Sequence, residues 1–137
     1  MQYREGSIRH QCFISAFLFG GTSLEAIELT INLRSELFIS SFILDEFSEK
    51  LKEKFNIRAN EISRDVELIE SIFRTVIPSN QIPTACKDED DNEILRLAEF
   101  VNADYLVTGD SDLLILGKFS EAKILSPGQF INVVASK

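Results

Sequence analysis

The sequence predicts an α/β fold, specifically a three-layer α/β/α sandwich with a central, mostly parallel sheet. Short runs of bulky apolar residues, each about as long as a strand, alternate with segments whose apolar residues recur at helical spacing. Strands that are joined by helices run parallel, and a parallel sheet needs helices on both of its faces. The alternation along the chain is therefore the main basis for this prediction.

The bulk properties indicate one compact domain over residues 1–137, with residues 1–12 as an atypical amino terminus. The composition is globular, with 45% hydrophobic and 26% charged residues. The apolar run Cys12–Phe19 is far shorter than the ~20 residues of a membrane span, so we expect a cytoplasmic protein with no membrane partner. Cys12, Cys86 and a single histidine are too few for a disulfide framework or a zinc site.

The first half of the predicted fold contains one strand between helices. A capping box at 22–25 starts a helix over about 24–32, and ELFIS at 36–40 is the strand. We expect Ser41 to cap the following helix, and we expect Pro78 to stop a second helix over about 61–76. The apolar stripes of these two helices consist of Leu44, Phe47, Leu51 and Phe55, and of Ile62, Val66, Ile69, Phe73 and Val76.

The second half begins with a loop over 78–87, followed by a helix that opens with the acidic cluster 88–91. The inward face of that helix is predicted to consist of Ile94, Leu95 and Ala98, and Asn102 suits a left-handed position past its end.

Two further strands are predicted at 105–108 and 123–125, and Gly109 ends the first of them. Ser126-Pro127 then has the pattern of a helix start, in which a capping residue precedes a proline at the first helical position. The last helix contains Phe130.

Several carboxylates are predicted to meet at one edge of the sheet. Asp110 and Asp112 directly follow strand 105–108, Asp91 begins a helix with a core-facing side, and Glu46 lies on the helix after strand 36–40. Ligands of such folds bind beyond the carboxyl ends of the strands. Converging carboxylates repel one another unless a hard cation lies between them, and all-oxygen ligands suit Mg²⁺ or Mn²⁺. The pattern therefore indicates metal-assisted phosphodiester hydrolysis.

Each of these residues also has an ordinary structural interpretation. Acidic residues at a helix start interact favourably with the helix dipole, Asp110 suits a turn, and Asp112 suits a helix cap. Glu46 suits a solvated helix face, and Thr108 is a good strand residue. The formal net charge of −8 also means that a nucleic-acid substrate would need a cation or a basic partner to offset it.

The segment DEDDNEILRLAEFVNADYLVTGDSDLLILGKFSEAKILSPGQFI closely resembles the carboxy-terminal half of PIN-domain nucleases, especially the VapC-like toxin components of toxin–antitoxin pairs. The resemblance extends upstream through SELFISSFILDEFSEKLKEKFNI and FISAFLFGGTS. It implies a three-layer α/β sandwich, Mg²⁺- or Mn²⁺-dependent cleavage of RNA, and a cognate antitoxin protein as partner. Family members often form homodimers, although no motif in this chain requires one.

The resemblance also implies which residues form the site. The family acids fall on Glu46, Asp91, Asp110 and Asp112 as catalytic residues, the last three as metal ligands. Thr108 and Ser15 are expected to support them. FISA, from Phe13, corresponds to the start of the first family helix.

The remaining family acid belongs to a DTN motif that ends the first strand, and here it is missing. Aligning DTNVFISA with this chain places Arg9, His10, Gln11 and Cys12 at D, T, N and V. Arg9 would put a positive charge where a metal ion should bind. The sequence therefore predicts weak metal binding and impaired RNase activity.

We hypothesise that residues 1–12 are an out-of-frame translation of an ancestral VVFDTNV. Arg9 to Cys12 can be encoded by CGA CAC CAA TGT, which gives Asp-Thr-Asn and the start of Val when it is shifted by one base. Genomic codons that do not give VFDTNV in the shifted frame would exclude this, leaving ordinary divergence of the amino terminus.

Two other functional classes stay open at this point. One is a non-catalytic PIN-like module that binds an antitoxin or RNA. The other is a different α/β enzyme with an aspartate at a strand end, such as a phosphatase, but no strand carries the DxDxT pattern of such enzymes.

Overall fold

A computed structural model of the chain describes residues 11–14, 36–54 and 58–135. The strands are β1 (Gln11–Ile14), β2 (Glu36–Ser40), β3 (Arg74–Val76), β4 (Tyr105–Val107), β5 (Lys118–Phe119) and β6 (Ala122–Leu125). The helices are α1 (Ser41–Lys54), α2 (Ala59–Ile72), α3 (Glu89–Phe100), α4 (Ser111–Leu114) and α5 (Pro127–Ala135). The helix expected over 24–32 lies outside the described residues.

The six strands of the described residues form one sheet in the order β3-β2-β1-β4-β6-β5. Every neighbouring pair is parallel except β5 and β6, which form an antiparallel hairpin with Lys118 opposite Lys123. The predicted α/β fold, a three-layer sandwich with a mostly parallel sheet, is confirmed. No helix among the described residues is both long and apolar enough to cross a membrane.

The centre of the sheet determines where its carboxyl edge lies. From β1 the chain first builds β2 and β3 on one side, and then crosses to build β4 and β6 on the other. Ile14 pairs with Val107, and Val107 pairs with Leu125, so that β1, β4 and β6 end at the same level. Reversal of the strand order creates a crevice at the carboxyl ends of the central strands, where α/β proteins bind ligands.

The position of β1 corrects one expectation. Phe13 was expected to start a helix, but Gln11–Ile14 is one of the two central strands of the sheet. The physical reason is composition: Cys12-Phe13-Ile14 is an uncharged apolar run, as central parallel strands require, whereas Glu5 to Ile8 contains a charge and a glycine.

Two helix boundaries also differ from the predictions. α2 ends at Ile72 instead of Val76, because Thr75 and Val76 are β-branched and join the edge strand β3. The cap of α1 is Ser40 instead of Ser41, since Ser40 Oγ accepts a hydrogen bond from the Ile43 N–H at 3.1 Å.

Other elements agree with the sequence. Residues 78–87 lie outside helices and strands, Asn102 has a positive φ of 52°, and α5 follows Ser126. Ser126 and Gln129 form a reciprocal capping box, in which each side chain accepts a hydrogen bond from the other's backbone N–H. Predicted core residues are buried, namely Leu44, Ile69, Phe73, Ile94, Leu95, Ala98 and Phe130. The Phe130 ring packs edge-on against Tyr105 with 5.5 Å between ring centroids.

Candidate active site

The turn after β4 holds two of the predicted acids in fixed positions. Thr108 is 2% exposed, and its Oγ1 accepts a hydrogen bond from the Asp110 N–H at 3.1 Å. Asp110 is the N-cap of α4, and its Oδ1 accepts a hydrogen bond from the Asp112 N–H at 2.9 Å. The helix cap expected at Asp112 is therefore Asp110, and Asp112 lies in the first turn. One oxygen of Asp110 serves the cap, which leaves the other available to a ligand.

The third acid comes from the start of α3. Asp88 is the N-cap of this helix, because its Oδ1 accepts a hydrogen bond from the Asp90 N–H at 2.8 Å. Asp91 lies in the first turn on the inward side and is 6% exposed. A helix N-terminus favours a carboxylate, but burial disfavours its charge. The charged form of Asp91 would therefore be stabilised by a cation bound beside it.

Asp91, Asp110 and Asp112 come together at the carboxyl edge of the sheet. One carboxylate oxygen from each lies within 4.8 Å of the others. Burial raises the pKa of Asp91 to about 7, assisted by a hydrogen bond to Asp110 and by the negative charges of Asp110, Asp88 and Asp112. At neutral pH the Asp91 carboxyl group can therefore be protonated and donate that hydrogen bond.

The chemistry of this group fits a divalent cation. It contains oxygen ligands alone, with no histidine or cysteine among the described residues that meet the same distance limit. Hard oxygen ligands are those of Mg²⁺ and Mn²⁺. A cation between the three carboxylates would offset both the burial of the Asp91 charge and its repulsion by the neighbouring acids.

The structure does not bring every predicted residue into this group. Glu46 is half-buried in α1 and is outside the group of three. Ser15 and Arg9 lie outside the described residues, so their predicted roles stay predictions. The sequence between Glu5 and Glu25 contains no acidic residue, so that no residue of β1, or within several residues of its ends, can supply a carboxylate.

Sequence reasoning missed two residues beside the carboxylates. Asn92 is buried next to Asp91 and binds both polar groups of the Cys86 backbone. Burial raises the pKa of the Cys86 thiol, and the charges of Asp91, Asp110 and other acids add to this effect. The only signal in the sequence was an asparagine directly after the acidic cluster, which suits many other roles.

Comparison with known proteins agrees with this fold. The family model described as a PIN domain matches residues 11–112, well over half of the chain, including Glu46 and the three clustered acids. The crystal structure of PAE2754 from Pyrobaculum aerophilum superimposes with a TM-score of 0.61 and 17% identity, covering 93% of this chain and 91% of that one. At this identity the likeness concerns the fold alone. No curated protein sequence matches the chain significantly.

Proposed function

Because this chain belongs to the PIN domain family, whose members are nucleases as a rule, we propose that it is a Mg²⁺- or Mn²⁺-dependent ribonuclease that hydrolyses RNA phosphodiesters. The observation that carries the proposal is the convergence of Asp91, Asp110 and Asp112 within 4.8 Å at the carboxyl edge of the sheet. Carboxylates repel one another, yet Asp91 is buried beside the other two, and Asp110 is held by hydrogen bonds from its own N–H to Thr108 and from the Asp112 N–H to its carboxylate.

The three carboxylates would hold the metal in different ways. Asp91 is buried, so it would supply a ligand from the interior, and it would release its proton when the metal binds. Asp110 is oriented by Thr108 and by its cap to Asp112. Asp112 is exposed, which leaves the outer side of the site open to substrate. When bound, the metal would lower the pKa of a water molecule and stabilise charge on the phosphate oxygens.

The residues of the chain itself position the carboxylates and leave the site open to substrate. Thr108 fixes the backbone at Asp110, and the short helix α4 fixes Asp112 relative to it. An extended RNA backbone can approach this exposed edge, where a cation would offset the local negative charge. We also propose Glu46, on α1, as a further catalytic acid at the same edge of the sheet.

The missing carboxylate of the first strand limits the proposed activity. With no acid between Glu5 and Glu25, the site has three clustered acids and receives no carboxylate from β1. Fewer charged ligands hold a divalent cation less tightly. We therefore expect cleavage to be slow and to need millimolar metal. The family alignment places the missing acid at Arg9.

We extend the proposal to biology through the resemblance alone. The protein would act in the cytoplasm as the toxin of a toxin–antitoxin pair, as one domain over residues 1–137 with an atypical segment 1–12. A cognate antitoxin would bind it, and a homodimer is compatible with the proposal.

The alternative is a non-catalytic PIN-like module that binds an antitoxin or RNA. The specific observation in its favour is again β1, whose sequence QCFI and neighbours offer no carboxylate for a hard cation. Binding without cleavage at any metal concentration would establish this alternative.

Cleavage of a fluorescent single-stranded RNA of mixed sequence tests the proposal. We expect product with Mn²⁺, none with a chelator, and none from Asp91→Asn at equal Mn²⁺. Asp65→Asn is the matched control, because it removes the same charge from an exposed position on α2. Equal cleavage by Asp91→Asn and the unsubstituted protein would contradict the proposal.

A further inference from the structure

Two asparagine side chains fasten the loop at 78–87 to α3. Asn80 Nδ2 donates to the Arg96 carbonyl oxygen at 3.2 Å and to Glu99 Oε1 at 2.9 Å. Asn92 makes the second attachment, close to the start of the helix. Both attachments join the same loop to the same helix, but only one of them lies beside the clustered carboxylates.

The Asn92 attachment uses the whole side-chain amide. Oδ1 accepts a hydrogen bond from the Cys86 N–H at 2.9 Å, and Nδ2 donates to the Cys86 carbonyl oxygen at 2.8 Å. Asn92 is 6% exposed, so water cannot easily replace either bond. No other uncharged side chain of the same size offers a donor and an acceptor in this geometry.

The segment held by Asn92 lies against the proposed metal site. Both Asn92 bonds go to the Cys86 backbone, so residue 86 lies against the first turn of α3, which carries Asp91. Burial and the nearby acids raise the pKa of its thiol. Two residues later, Asp88 caps α3 and so determines where the first turn of the helix begins. The bridge from Asn92 to Cys86 thus closes a small ring of chain that contains Asp91.

We propose that Asn92 is a positioning residue for the metal site, because its paired hydrogen bonds to Cys86 hold the first turn of α3 and thereby the Asp91 carboxylate toward Asp110 and Asp112. This inference rests on the proposed metal-dependent function. Residues that hold metal ligands through hydrogen bonds commonly change metal affinity 10- to 100-fold when they are replaced.

The attachment at Asn80 supplies the control. Arg96 and Glu99 lie about one and two helical turns beyond Asp91. Removing the Asn80 side-chain bonds therefore loosens the same loop without touching the first turn. A merely structural role of Asn92 would make the two replacements equivalent.

The experiment measures Mn²⁺ affinity by calorimetry for Asn92→Leu, Asn92→Gln and Asn80→Leu. We expect both Asn92 variants to bind Mn²⁺ about 10-fold or more weakly than the unsubstituted protein, and Asn80→Leu to bind within about twofold of it. Asn92→Gln keeps both polar groups but lengthens the side chain, so it tests position even if Asn92→Leu does not fold. Equal affinities for Asn92→Gln and Asn80→Leu overturn the inference.

Amide hydrogen exchange supplies a readout that needs neither cleavage nor a variant. Mn²⁺ should slow exchange at the Cys86 amide, because a bound ligand and an ordered loop stabilise each other reciprocally. Unchanged exchange at metal saturation overturns the inference while leaving the ribonuclease proposal intact. The ribonuclease proposal fails on a different result, which is the absence of Mn²⁺-dependent cleavage by the unsubstituted protein.

Discussion

The two central strands of the sheet, β1 and β4, end side by side but contribute very differently to the candidate site. The turn after β4 carries Asp110 and Asp112, and Thr108 holds that turn by a hydrogen bond. β1 pairs with β4 up to Ile14 and Val107, yet no acid occurs in its sequence or within several residues of it. The packing of the central strands therefore does not depend on an acid at the end of β1, because sheet packing requires apolar residues and not carboxylates.

The largest effect is expected on the β4 side. Asp110→Asn should lower the rate of Mn²⁺-dependent cleavage at least about 100-fold, because an amide is a weaker metal ligand than a carboxylate. Its Oδ1 can still accept from the Asp112 N–H, so thermal stability should change little.

Asp110→Ala separates the two roles of this side chain. It should lose cleavage to the same extent and also about 1 kcal/mol of stability, because the cap of α4 is lost. RNA cleavage and chemical denaturation measure the two effects. Full cleavage activity in either variant would show that Asp110 is not a metal ligand of the proposed site.

Substitutions near the end of β1 should have a smaller effect in the opposite direction, namely a gain in Mn²⁺ affinity. Supplying a carboxylate there should raise Mn²⁺ affinity by about 10-fold, because one more charged ligand would join the site. The family alignment places the lost acid at Arg9, whereas Ser15 is the residue that directly follows β1.

Calorimetry on Arg9→Asp and Ser15→Asp distinguishes these two positions, with Ser15→Asn as the uncharged control. A gain in Arg9→Asp alone supports the family alignment, and a gain in Ser15→Asp alone supports the strand boundary at Ile14. No gain in either would show that β1 does not approach the metal.

The pH dependence of stability should reveal Asp91. Burial raises its pKa to about 7 from the ordinary 3.8, so the folded protein binds more protons than the unfolded chain between these values. The free energy of unfolding should therefore fall as pH rises through this window, by at most about 1.4 kcal/mol per pH unit. Asp91→Asn should remove this slope, as denaturation at about pH 5, 6 and 7 would show.

Metal binding should show the opposite dependence on pH. Below about pH 7, Mn²⁺ must displace the Asp91 proton, so its affinity should drop about 10-fold per pH unit at most. Calorimetry in buffers of different protonation enthalpy would count the protons released. Affinity that is constant from about pH 5 to 8 would contradict a ligand role for Asp91.

The smallest effect is expected at Thr108. Thr108→Val keeps the shape of the side chain but removes the acceptor for the Asp110 N–H, which should cost about 1 kcal/mol. Mn²⁺ affinity should fall only a few-fold, because α4 still caps on Asp110. Thr75→Val, on the exposed edge strand β3, is the matched control and should affect neither quantity. Equal effects of both replacements would mean that the Thr108 bond does not orient Asp110.

Most of the architecture could be predicted because local signals and burial agree. ELFIS has three bulky apolar residues in a row, as a buried strand requires, and Ser126-Pro127 carries a cap and a proline that both favour a helix start. Three of the four predicted acids cluster, because Asp110 and Asp112 follow a strand and Asp91 starts an inward-facing helix. In each case the residue type and its place in the strand and helix order point to the same result.

The errors occur where two structures suit the same residues. Phe73 and Val76 continue a helical stripe, but Thr75 and Val76 are also good strand residues, and the open edge beside β2 decided between them. Asn92 could not be identified, because its function depends on Cys86 in the loop, and a single sequence does not show which groups meet.

The hairpin at the other end of the sheet affects how copies of the protein can associate. β5 is two residues long, and its Lys118 stands opposite Lys123 of β6, with both side chains exposed. Like charges on a short outer strand make a poor template for another strand, even though they cost the hairpin some stability. Growth of the sheet from one molecule into the next is therefore disfavoured at β5, so that strand pairing there is a poor route to a homodimer.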